Sequence, residues 1–153
     1  MRTLSVTTEV AAPTERVWQV MSDVERWQEW TPSVKSIRLL DAGPLALGSR
    51  AVVRQPKFPP ARWKVTAIES GLGFTWVSLG PGIRVIARHS IESADGGSRV
   101  TLSVDYGGIL GGLMARLTGD ITERYLGFEA KGLRARSEDP GFRHELRTPG
   151  GAT

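Results

Sequence analysis

The segment Gly108–Arg136 constrains the fold more than any other. At roughly 100° per residue it gathers Leu110, Leu113, Met114, Leu117, Ile121, Tyr125 and Phe128 within an arc of about 120°, which predicts a helix with one broad apolar face. Such a face needs a large apolar partner. Upstream lie only two short helical candidates and a succession of alternating runs, so the partner is a sheet. A long helix laid across a curved sheet encloses a cavity, and that is the functional expectation drawn from the pattern.

The alternating runs are closely spaced. Residues 3–10 place Leu4, Val6, Thr8 and Val10 on one face of a first strand. Ala11-Ala12-Pro13 ends it, and Val17, Trp18 and Met21 recur at helical spacing over about 13–22. Ser22-Asp23-Val24-Glu25 reads as a capping box for a second short helix carrying Trp27 and Trp30, closed by Thr31-Pro32. Both tryptophans are expected to be packing staples.

Six further strands follow, at Val34–Leu40, Ser49–Gln55, Arg62–Ser70, Phe74–Leu79, Ile83–Ser93 and Arg99–Tyr106. The connections are short, so neighbours are antiparallel. Trp63, Val65 and Ala67 share one face of their strand; Ile83, Val85, Ala87, His89 and Ile91 share another, and Val100, Leu102, Val104 and Tyr106 a third. Between the third and fourth strands, Gln55-Pro56-Lys57-Phe58-Pro59-Pro60 reads as a stiff loop bearing an exposed phenylalanine. The order predicts an α+β domain over residues 1–136 with seven strands, two short helices after the first strand and a long C-terminal helix. Residues 137–153 have little to bury and are expected to form a flexible tail.

Composition narrows the chemistry. The chain has 153 residues and no cysteine, which removes disulfides, thiol nucleophiles and cysteine-based metal sites. No apolar signal core or membrane-length stretch is present, so a cytoplasmic protein is expected. The net charge of +4 names no partner by itself. Arg50, Arg54, Arg62, Lys64, Arg84 and Arg88 fall on the strand faces opposite the apolar ones and read as a solvated outer face. Without interleaved aromatics or a groove-reading helix, that face is not expected to bind nucleic acid. Gly107, Gly108, Gly111 and Gly112 lack the lysine and hydroxyl residue of a phosphate-binding loop, and His144-Glu145 has no second histidine at metalloprotease spacing. Neither metal nor cofactor is expected.

The run Val10-Ala11-Ala12-Pro13-Thr14-Glu15-Arg16-Val17-Trp18, then Ser22–Pro32, Gly73-Phe74-Thr75-Trp76, His89 and Gly97–Leu102 before the last helix, resembles the START-like (SRPBCC) superfamily with the helix-grip fold. The likeness is greatest to its polyketide cyclase/dehydrase branch and covers roughly residues 3–136. The resemblance implies a deep, mostly apolar cavity between sheet and long helix. It implies no particular reaction, since the superfamily holds lipid carriers, metabolite binders and aromatic-ring cyclases.

Three residues are candidates for chemistry. His89 faces inward among Val85, Ala87 and Ile91 and titrates near neutrality, although one core or ligand hydrogen bond would equally account for it. Tyr106 ends the last strand facing inward. Arg124 falls inside the predicted apolar arc, either paired with Asp120 or reaching the cavity to meet an anionic oxygen. Expected ligand contacts are Val53, Trp63, Val65, Trp76, Val85, His89, Leu102, Val104, Tyr106, Leu113, Leu117 and Ile121. The pattern favours binding or transport of a small hydrophobic molecule, such as a lipid, polyketide or aromatic metabolite, by a monomer or homodimer. The alternative is a cyclase or dehydratase working in the same cavity. Residues 107–112 and the first helical turns are expected to gate the cavity, with the Phe58 loop as the opposite lip.

Overall fold

A computed structural model describes residues 2–141. Seven strands, β1 (Arg2–Val10), β2 (Ser36–Leu39), β3 (Arg50–Arg54), β4 (Ala61–Glu69), β5 (Gly73–Gly80), β6 (Ile83–Ala94) and β7 (Gly97–Gly107), form one antiparallel sheet in the order β1-β7-β6-β5-β4-β3-β2. Helix α1 (Thr14–Ser22) and a 3-10 helix (Val24–Glu29) follow β1, and helix α2 (Gly111–Glu138) closes the chain's described part. This is the helix-grip arrangement.

Pairing β1 with β7 brings the two ends of the meander together, from Arg2 opposite Tyr106 to Val10 opposite Ser98. Helix α2 packs over this end of the sheet, against β1, β7 and β6, and against α1. The opposite half, β3 to β5, curves away from the helix. The side chains of that half therefore face a gap between sheet and helix, and the cavity follows from where the helix sits.

Short helices close the sheet's open end. Val17, Val20, Met21, Val24 and Trp27 are all buried. The predicted capping box does not form: the Ser22 hydroxyl donates to Trp18 O at 2.7 Å, Glu25 accepts from Leu39 N at 2.9 Å, and the helix starts after Asp23 with no side-chain cap. Trp27 Nε1 instead donates to Met21 O at 3.0 Å, fixing the tryptophan across the turn between the two helices.

Three expectations are corrected. In β4 a register shift between Val65 and Ala67 inserts a bulge, which turns Ala67 to solvent and brings Ile68 inward. Helix α2 extends past the predicted limit at residue 136, so Ser137 and Glu138 are helical and Ser137 is buried; residues 142–153 of the expected tail lie outside the described residues, as do His144 and Glu145. The face of α2 that meets the sheet is also different. Gly111, Ala115, Gly119, Leu126, Ala130 and Leu133 are buried, while Leu113 and Leu117 are 54% and 69% exposed. Small residues let the first half of the helix lie close to β7, and the leucines two positions away point about 200° from them.

Candidate functional site

Between α2 and the β3–β6 half of the sheet lies a cavity of about 540 Å³. That is within the size range of small-molecule sites. Its sheet wall carries Val53 on β3, Trp63 on β4, Trp76 on β5, Val85, Ala87 and His89 on β6, and Val104 and Tyr106 on β7; α2 contributes Met114, Ile121 and Leu126. Eight of the residues expected to contact ligand thus line it: Val53, Trp63, Trp76, Val85, His89, Val104, Tyr106 and Ile121. Val65 and Leu102 do not, being packed in the core at 0% and 2% exposure. Leu113 and Leu117 do not either, because they sit on the outer face of α2. Arg124 is exposed and does not line the cavity.

Aromatic rings form the inner end. Trp27 lies with its ring centroid 5.5 Å from His89, 5.9 Å from Trp76 and 5.4 Å from Trp30. Trp63 packs on Trp76 at 5.7 Å, and Trp18 on Phe74 at 6.5 Å, so all five tryptophans belong to one contact network. Trp27–His89 and Trp18–Phe74 meet edge-on and the other three pairs are tilted; edge-on aromatic pairs each add about 0.5–1.5 kcal/mol beyond burial. Trp27 is therefore both staple and cavity wall, where the sequence pattern suggests only the staple. Trp63 Nε1 is buried with no hydrogen-bond partner among the described residues.

His89 is opposite Phe74 in the β5–β6 register, stacked on its ring at 4.2 Å, with Nδ1 3.1 Å from Phe74 O. A carbonyl oxygen only accepts, so Nδ1 carries the proton and Nε2 is left as an acceptor. Burial pushes the imidazole down to about 4, against the opposing effect of the bond to Phe74. His89 is neutral at physiological pH.

The helix wall holds an acid that the sequence pattern does not single out. Glu129 is 8% exposed, lines the cavity, and accepts a hydrogen bond from Ser33 Oγ at 3.2 Å. Burial pushes its carboxyl up to about 7, partly offset by that hydrogen bond. A usable signal is present: Leu126, Ala130 and Leu133 recur at helical spacing, and Glu129 lies on the same stripe. The leucines nearer the N-terminus form a stronger apolar arc and mask it.

The remaining polar contacts hold the walls together. Tyr106 Oη lies 3.2 Å from Thr118 Oγ1 and 2.5 Å from Thr122 Oγ1, tying β7 to α2. Phe58 is half-buried rather than exposed, for its ring meets Tyr125 edge-on at 5.8 Å and the Tyr125 hydroxyl donates to Pro56 O. Gly108 (φ 86°) packs so closely on the β5–β6 turn that a Cβ there would come within 2.5 Å of Gly82 O, and Leu110 N donates to the same oxygen at 2.8 Å. The glycine-rich segment is a close backbone approach in this structure. On the outer face Arg50, Arg54, Arg62, Lys64, Arg84 and Arg88 are exposed as expected, with Arg50 bound to Asp41 and Arg88 to Asp105.

Among the described residues no group of three metal-ligating side chains occurs, and no helix is long and apolar enough to cross a membrane. The family model for polyketide cyclase/dehydrase and lipid transport proteins matches residues 1–138. The chain belongs to this family. Solved structures of the same fold include the Zhui aromatase/cyclase from Streptomyces sp. R1128, at 16% identity and a TM-score of 0.72, covering 90% of this chain and 93% of that one. TTHA0849 from Thermus thermophilus is 20% identical with a TM-score of 0.71, covering 89% and 97%. The hypothetical protein jhp0584 from Helicobacter pylori is 16% identical with a TM-score of 0.76, covering 89% and 88%. No curated protein sequence matches the chain significantly. As a member of the polyketide cyclase/dehydrase and lipid transport family, the chain shares the family's fold from β1 through the end of α2.

Proposed function

We propose that this polyketide cyclase/dehydrase family member is a cytoplasmic binding or transport protein for one small hydrophobic molecule, a lipid, polyketide or aromatic metabolite, held between the sheet and α2. The observation that carries this reading is the cavity of about 540 Å³, walled largely by tryptophans and aliphatic side chains. Leaving that much apolar surface open costs stability which a ligand would restore, at roughly 25 cal/mol per Å² covered. Native mass spectrometry of gently purified protein tests the proposal. A bound small molecule released on denaturation is the expected result; a cavity that stays empty in the presence of every apolar compound of fitting size contradicts it.

A specific observation favours a second reading, an enzyme of the cyclase or dehydratase type. A neutral imidazole and a carboxyl near 7 line the same cavity, so a proton donor and an acceptor coexist near neutral pH. Turnover of a supplied polyketide mimic that is lost in His89→Asn or Glu129→Gln while ligand is still retained would establish it.

A further inference from the structure

The hydrogen bonds around Glu129 run in one direction. Ser33 has one hydroxyl proton, and it is given to Glu129 Oε2. The 2.8 Å contact between Thr31 Oγ1 and Ser33 Oγ is therefore filled by the Thr31 proton, while Thr31 Oγ1 accepts from Ser33 N at 3.3 Å. Thr31 and Ser33 are buried at 2% and 0% exposure, so the relay has no competing water on its protein side. It presents one donor, the Ser33 hydroxyl, to Oε2. Among the described residues nothing donates to Oε1, although Glu129 is part of the cavity wall.

Given that the cavity binds an apolar ligand, we propose that Glu129 is a polar subsite for a hydrogen-bond donor, a hydroxyl or a protonated amine, carried by an otherwise apolar, ring-bearing molecule. Its free oxygen accepts that donor, and Trp27 and Trp76 take the ring beside it. A ligand whose polar end is a carboxylate would set two acids against each other in a buried space and is disfavoured.

Other titratable or charged residues border the cavity at Lys57 in the β3–β4 connection, Arg88 and His89 on β6, Tyr106 on β7 and Tyr125 on α2, with the Arg88 side chain directed to the outer face. Lys57 is exposed, Arg88 is bound to Asp105, and the two tyrosines are bound to Thr118 and Thr122 and to Pro56. Among the described residues, none that borders the cavity from β2, β4, β5 or the 3-10 helix carries a group that titrates near neutrality. Glu129 is thus the group whose ionisation should govern donor binding near neutral pH.

Binding of 2-naphthol, 2-(aminomethyl)naphthalene, 2-methoxynaphthalene and 2-naphthoate, followed by tryptophan quenching from about pH 5.5 to about pH 8, tests the assignment. Donor binding favours the carboxylate, so affinity for the first two rises by about tenfold across that range, while affinity for 2-naphthoate falls. At the upper end 2-naphthol should bind about tenfold tighter than its methyl ether. Glu129→Gln, which keeps the shape and removes the titration, flattens the profiles. Equal affinities for the four compounds, or a pH profile that survives in Glu129→Gln, would overturn the assignment. Failure of all four to bind would overturn the binding reading itself.

Discussion

His89 and Glu129 carry opposite pH linkages, and their windows overlap. The folded imidazole, pushed down to about 4 from 6.5, binds fewer protons than the unfolded one, so it makes stability rise with pH between those values. The folded carboxyl, pushed up to about 7 from 4.5, holds a proton the unfolded one has lost, so it makes stability fall as pH rises through that window. Each slope is on the order of 1.4 kcal/mol per pH unit and the two nearly cancel where they overlap. Urea unfolding of the wild type should accordingly vary little through mildly acidic pH. Glu129→Gln should unmask a stability that increases with pH, and His89→Asn one that decreases. Parallel profiles for the two variants would show that neither group titrates as its burial implies.

Within the long helix, glycines that look alike in sequence have different surroundings. A Cβ on Gly127 meets nothing within 4 Å, whereas one on Gly132 would fall 1.9 Å from Trp30 O. Gly127→Ala should therefore stabilise the protein by about 1 kcal/mol through helix propensity alone. Gly132→Ala must push away the segment that holds Trp27 at the cavity's inner end, and should lower the thermal midpoint and weaken ligand binding together. Calorimetry of the two variants checks this, and equal midpoints would show that the contact between α2 and Trp30 yields freely. Spacing in the sequence could not separate these cases, because the contact joins distant parts of the chain and one of its two residues has no side chain. The same blindness moves the apolar arc: Leu113 and Leu117 dominate any hydrophobicity pattern, while Gly111 and Ala115, which are buried on the sheet side, contribute almost nothing to it.

For the whole molecule, the strand pattern carries the fold. Period-two alternation on β1, β6 and β7 puts Leu4, Val10, Ala87, His89, Leu102, Val104 and Tyr106 on the buried side, where they are found. The sheet wall of the cavity was legible for the same reason. Its helix wall was legible only at Ile121, because helical faces depend on how closely the helix approaches the sheet, and β4 loses its pattern at the bulge between Val65 and Ala67. Trp27 and Glu129 enter the cavity through tertiary placement, the first by the 3-10 turn and the second by the rotation of α2. What emerges is a sheet gripped at one end by a helix and opened at the other around a ring-lined space. The most direct test of that space is a fluorescence titration with N-phenyl-1-naphthylamine on the wild type and on Ile121→Trp, whose larger side chain fills the cavity from the helix side. Saturable binding of one probe per chain in the wild type, lost in a folded Ile121→Trp, is the predicted result; no saturable binding, or binding that the filled cavity leaves unchanged, would contradict it.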